Sequence, residues 1–191
     1  MNKKLSFSFK GGRNYVRGTD MFNAVLAVVG DSVKDIDFNI YRLTGNNIIL
    51  TDDSSKPAPV FRFTYNDSEV RKSLFGIETE EKVTCRYNYD ENDIIKACEL
   101  DLEKGEIQLS SDTGFSFIEN LVAMNKYLLN NLFKPQSGMW LFVRLQLVEV
   151  PKNFETMSLK FEGGLGMSLT KTSIRVSDKH MGYIYFSWRE R

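Results

Sequence analysis

The sequence predicts an α+β protein dominated by antiparallel strands, with one long buried helix and a shorter counterpart. Three observations carry this. Within 191 residues, one order of elements occurs twice: an alternating strand, a turn of small and capping residues, an apolar-faced helix, then more alternating strands. Strand patterns outnumber helix patterns, and the connections are short enough to favour antiparallel pairing. One segment, 115–133, holds an apolar stripe over about five helical turns. The repeated order suggests an internal duplication, with a first half at 1–78 and a second at 79–191 sharing one compact unit.

In the first half, Leu5, Phe7 and Phe9 alternate with Ser6 and Ser8, the pattern of a half-buried strand. Gly11-Gly12 breaks it. Thr19 or Asp20 can cap a helix whose Met21, Phe22, Val25, Leu26 and Val29 share one face, and Gly30-Asp31-Ser32 ends it. Ile36, Phe38 and Ile40 alternate, and the turn Gly45-Asn46-Asn47 leads to Ile48–Leu50. Asp52 to Pro59 is a loop whose two prolines exclude it from a central strand. Phe61, Phe63 and Tyr65 alternate again. Asn66 to Glu81 is polar, is expected to hold one short helix, and contains the seam between the halves.

The second half opens on an alternating strand through Val83, Cys85, Tyr87 and Tyr89. Cys98, Leu100 and Leu102 face Ile107 and Leu109 across Glu103-Lys104-Gly105, a hairpin. Asp112 or Thr113 caps the long helix. Phe117, Ile118, Leu121, Asn125, Leu128, Leu129 and Leu132 form its stripe, and Pro135 and Gly138 end it. Met139–Val143 is apolar on both faces, as in a covered central strand. A strand at 159–161, a glycine-rich bend at Gly163-Gly164-Leu165-Gly166, a strand through Thr172–Val176, a turn at 177–182 and a last strand to Trp188 complete the chain. That last strand is also apolar on both faces, so it is either central or laid against another surface. Arg189, Glu190 and Arg191 make a charged stop.

Composition narrows function by exclusion. The 25 Lys and Arg balance 25 Asp and Glu, for a formal charge of zero, which argues against nucleic-acid binding by bulk electrostatics. No secretory leader follows Met1, and no stretch approaches the roughly 18 apolar residues of a membrane span. Cys85 and Cys98 read as small hydrophobes in strands rather than as a disulfide, which makes a cytoplasmic location the default. No Cys/His cluster, phosphate-binding loop or nucleophile elbow is present, and no metal or cofactor is implied. His180, with Asp178 close by in the last turn, makes neither a metal site nor a triad.

The segment Lys10-Gly-Gly-Arg-Asn-Tyr-Val-Arg-Gly-Thr-Asp20 is the foremost candidate site. Arg13 and Arg17 precede a helix start whose free N–H groups attract anions, and Gly11, Gly12 and Gly18 allow close backbone approach. The plain alternative is a strand-to-helix corner with its arginines solvated or paired to Asp20. Asp112, Gly114 and Glu119 occupy the matching region of the second half. Glu119 is equally readable as an exposed helical carboxylate favoured by the dipole.

The order of elements resembles that of the hot-dog fold, in which a helix lies in the grip of a curved antiparallel sheet. Two such units resemble the double hot-dog of some acyl-thioester hydrolases and dehydratases. Gly18-Thr-Asp-Met-Phe-Asn-Ala-Val25 resembles the glycine-led helix start of the dehydratase branch. Thr172-Ser-Ile-Arg-Val-Ser-Asp-Lys-His-Met-Gly-Tyr-Ile-Tyr-Phe186 resembles the closing hairpin of thioesterases. The resemblance implies a protein that binds or hydrolyses an acyl thioester, on acyl-CoA or an acyl carrier. It implies backbone at Gly18 and Thr19 polarising the carbonyl, Arg13 and Arg17 on the ligand, and Glu119 with Asp20 as the catalytic carboxylates. Dehydratases of this family pair a histidine on the strand side with a helical carboxylate. The lone His180 does not fit that, so any catalysis would rest on carboxylates. The alternative is a non-catalytic ligand-binding or assembly module of the same class. Closure within one chain would need no partner, so a monomer is preferred over a homodimer.

Overall fold

The computed structural model describes residues 1–56, 58–153 and 155–190. Pro57 and Arg191, named above in the loop and in the charged stop, lie outside the described residues. The chain forms two units, Met1–Asp90 and Glu91–Arg191. The expected seam at 78/79 therefore falls inside the first unit, within a strand paired on both sides.

In the first unit, β1 (Asn2–Leu5) and β2 (Phe9–Lys10) flank a break at residues 6–8, where the Phe7 N–H donates to Asn47 Oδ1 at 2.9 Å. The single alternating strand expected through Phe9 is thus two short ones. Helix α1 spans Gly18–Val29. Then come β3 (Lys34–Ile40), β4 (Asn46–Thr51), β5 (Phe61–Asp67), β6 (Val70–Lys82) and β7 (Arg86–Tyr87). The main sheet runs β1-β4-β6-β5-β3, all antiparallel, and β2 pairs with β7 in parallel.

The helix expected between Asn66 and Glu81 is instead β6. Ser68 and Glu69 both take positive φ, 47° and 72°, which closes a two-residue turn and zips β5 onto β6 with Phe63 opposite Leu74. Gly76 stands opposite Phe61, whose ring would lie 2.3 Å from any added Cβ, so the ring packs where no side chain fits. The core is aromatic: Phe22 of α1 meets Phe38 and Phe63 at 5.6 and 5.7 Å between centroids, and Phe38 meets Phe61 at 5.4 Å. These rings fix α1 on the face of β3 and β5. The strand expected at 83–89 shrinks to β7, and Cys85 lies exposed outside it rather than on a buried strand face.

In the second unit, α2 (Asn92–Lys96) precedes the hairpin β8 (Cys98–Asp101) and β9 (Glu106–Leu109), and then comes α3 (Phe117–Phe133). Four strands follow: β10 (Met139–Glu149), β11 (Met157–Leu165), β12 (Leu169–Val176) and β13 (Lys179–Arg189). Their order is β10-β13-β12-β11-β9-β8, antiparallel throughout. The last strand is central here, held between β10 and β12. The glycine-rich stretch makes the expected bulge, a register shift between Phe161 and Gly163. Gly164, at φ 151°, comes so close to Leu169 that a Cβ would sit 2.0 Å from its carbonyl oxygen. The core is largely aliphatic, with Leu121, Leu128, Leu129, Leu159, Ile174 and Ile184 fully buried.

Both units therefore hold a helix on an antiparallel sheet, the α+β class expected. Among the described residues, no helix is long and apolar enough to cross a membrane.

Candidate functional site

The chain enters α1 through a tightly held corner. The Phe9 and Gly11 N–H groups donate to Cys85 and Tyr87 carbonyls at 2.8 and 3.0 Å, which ties the corner to segment 83–89. The Arg86 guanidinium reaches the carbonyls of Gly11 and, at 2.6 Å, Arg13. The Val16 N–H donates to Thr44 O at 2.8 Å. Arg17 is the N-cap, with extended backbone, and its carbonyl accepts the Asp20 and Met21 N–H groups at 3.0 and 3.1 Å. Neither Thr19 nor Asp20 is the cap, as both are already helical. Their side chains are thereby freed for other contacts.

Asp20 and Lys10 form an ion pair of 2.9 Å, with side-chain exposures of 16% and 1%. A lysine so deeply buried requires compensation, and here it has both a carboxylate and a π-face. Lys10 Nζ sits 4.4 Å from the centre of the Tyr89 ring and 5.8 Å from that of Tyr87. The Tyr87 hydroxyl lies 3.4 Å from the same Asp20 Oδ1. Arg17 stacks on the Tyr89 ring at 4.9 Å, and Arg13 approaches Tyr15 at 5.9 Å. Thr19 is 3% exposed. Its Oγ1, together with Asp20 Oδ2, is buried with no hydrogen-bond partner among the described residues. Five of the expected site residues, Arg13, Arg17, Gly18, Thr19 and Asp20, thus gather at one helix start.

Lys10, Tyr87 and Tyr89 belong to this cluster too, and no local pattern around them announces it. Tyr87 and Tyr89 alternate as ordinary strand aromatics, and Lys10 looks like a solvated end to a strand.

Glu119 lies at the corresponding place in the second unit, in the first turn of α3. Its Oε2 accepts from the Ser116 N–H at 2.9 Å and the Ser116 hydroxyl at 2.6 Å, a capping box. The cap is therefore Ser116, not Asp112 or Thr113. Asp112 instead accepts the Gly114 N–H at 2.9 Å, and Thr113 donates to Asn120 Oδ1 at 2.7 Å. Gly114, at φ 72°, stands between those two residues and the cap. His180 is exposed on β13 rather than in a turn, because Ser177 and Asp178 alone make the reversal at φ 45° and 63°. Its ring meets Tyr183 at 4.8 Å.

No family model matches the chain, and no curated protein matches its sequence. Solved structures of similar fold do exist. The chain is similar to the dehydratase domain of PpsC from Mycobacterium tuberculosis, in complex with C12:1-CoA, at 7% identity and a TM-score of 0.49, covering 98% of this chain and 92% of that one. It is similar to a protein assigned as an oleoyl thioesterase from Lactobacillus plantarum, at 11% identity and 0.48, covering 99% and 95%. A pyran synthase domain of the sorangicin pathway follows at 9% and 0.42, covering 98% and 95%.

Proposed function

We propose that the protein binds an acyl thioester, carried on CoA or an acyl carrier, at the start of α1 and hydrolyses it. The observation that carries this reading is a pair of buried oxygens on adjacent residues, Thr19 Oγ1 and Asp20 Oδ2, with no partner among the described residues. Buried polar atoms are normally satisfied, so two together at a helix N-terminus suit a polar group brought by a ligand. The Thr19 hydroxyl and the first-turn N–H groups of Gly18 and Thr19 would hold the carbonyl oxygen. Asp20 would take a proton from water as that water attacks the carbonyl carbon. A C–O bond forms, the C–S bond breaks, and the thiolate leaves and is protonated, giving an acid and a thiol. Arg13 and Arg17 would meet anionic groups of the carrier, and Glu119 is the second candidate carboxylate.

One observation favours the non-catalytic alternative: both carboxylates already have structural duties, Glu119 in the capping box and Asp20 in the pair with Lys10. The two readings separate by assaying a panel of acyl-CoA thioesters against wild type, Asp20→Asn and Glu119→Gln. Hydrolysis reduced about 100-fold or more by Asp20→Asn supports catalysis at α1. Absence of turnover with every thioester, alongside binding of a non-hydrolysable thioether analogue, leaves the binding module. Internal duplication, a monomeric state and a cytoplasmic setting belong to the same proposal. Light scattering tests the monomer.

A further inference from the structure

We infer that Lys10 is a positioning residue for Asp20, holding one carboxylate oxygen so that the other is presented to a reacting water. The inference rests on the reading of the α1 start given above. The two oxygens of Asp20 are in different surroundings. Oδ1 receives the Lys10 ammonium at 2.9 Å and has the Tyr87 hydroxyl 3.4 Å away, whereas Oδ2 is buried with no partner among the described residues. A carboxylate held at one oxygen keeps a fixed rotamer, so the lone pairs of Oδ2 point in one direction. Thr19 Oγ1, on the preceding residue, is buried in the same condition.

The lysine is itself fixed from both ends. Its backbone is in β2, in register with Tyr87 of β7, and its Nζ lies under the Tyr89 ring at 4.4 Å. A pair serving stability alone would gain little here, because burying both charges costs desolvation that an apolar pair of the same size avoids. Orientation is what the charged pair adds. Base geometry matters steeply, since a displacement of about 1 Å at a reacting group can cost about 100-fold in rate.

The test compares wild type, Lys10→Met, Lys10→Arg and Tyr87→Phe in thioester hydrolysis, with thermal melts of each. Lys10→Met is expected to lower kcat about 100-fold with KM changed by less than about threefold, while Lys10→Arg recovers most of the loss. Lys10→Met combined with Asp20→Asn should be no slower than Asp20→Asn alone, because the lysine acts only through the carboxylate. A folded Lys10→Met protein with wild-type kcat overturns the inference and leaves the site reading standing. Should Lys10→Met fail to fold at the assay temperature, Tyr87→Phe decides. It removes the second group from Oδ1, so a several-fold lower kcat with KM unchanged is expected there, and an unchanged kcat overturns the inference. Wild type that turns over no thioester overturns the site reading and this inference together.

Discussion

Helix α3 begins with its polar groups satisfied within eight residues, Ser116 and Glu119 capping each other and Thr113 bonded to Asn120. Helix α1 begins with contacts from outside the helix, ten and sixty-seven residues away from Asp20. Lys10 comes from β2 and Tyr87 from β7, and both end on Asp20. Two of its buried oxygens, Thr19 Oγ1 and Asp20 Oδ2, have no partner among the described residues. The first start is a closed local motif, while the second is assembled from three segments and left incomplete. A stable protein does not need the second kind, because a capping box would satisfy the same helix at less cost. The difference points to the α1 start, rather than the α3 start, as the place where the chain departs from local consistency for another purpose.

The sharpest way to break this comparison is to remove the charge pair. Lys10→Met leaves Asp20 partly buried without its cation and is expected to cost about 3 kcal/mol in urea unfolding. Replacing both partners, Lys10→Met with Asp20→Leu, should recover most of that, because no buried charge then remains. Recovery of stability without recovery of any activity would separate folding from function at this corner. A double variant as unstable as the single one would mean that the pair is structural and that the contrast between the two helix starts is not functional.

At α3 the expected effects are smaller, since the motif is local. Ser116→Ala should cost about 1 kcal/mol, the usual value for losing a cap. Glu119→Gln should cost only a few tenths of that, because an amide oxygen still accepts from the Ser116 N–H. The second substitution therefore removes a carboxylate without removing a cap. A large loss of turnover in Glu119→Gln at nearly wild-type stability would move catalysis to α3 and reverse the comparison.

What the sequence revealed follows the same division. The stripe of α3, the β8–β9 hairpin and the bulge at Gly163 rest on residues close together in the chain, and each was legible. The cap, Ser116, lies three or four residues beyond Asp112 and Thr113, which are equally good capping residues and which the structure engages with Gly114 and Asn120 instead. Strand β6 was hidden because Arg71, Lys72 and Glu80 face water, and its turn uses Ser68 and Glu69 rather than glycine or asparagine. The segment 10–20 announced itself through glycines and capping residues. Lys10 did not, since its burial is set by Tyr87 and Tyr89, which arrive more than seventy residues later.

The smallest expected effect concerns the two cysteines, one in each unit, and it probes the strap that brings those tyrosines. Cys85 is exposed, and its carbonyl accepts the Phe9 N–H at 2.8 Å, so the strap is held there by backbone and its thiol is not needed. Cys98 is half-buried on β8, with Sγ 3.2 Å from the Ile94 carbonyl, and burial pushes its thiol up to about 11. At pH 8 about one Cys98 in a thousand is then thiolate, the reactive form. Treatment with an alkylating reagent followed by peptide mass spectrometry should show Cys85 modified at least about 100-fold faster than Cys98. The gap should close in urea, where both thiols are solvated. Modification at Cys85 should leave the unfolding free energy within about 0.5 kcal/mol of the unlabelled protein, as expected of a surface change. Comparable rates for both thiols in the folded protein would show that β8, at the edge of its sheet, opens readily. A large loss of stability on labelling would show that the strap at 83–89 tolerates no added bulk, and that the α1 corner depends on it more tightly than its backbone hydrogen bonds imply.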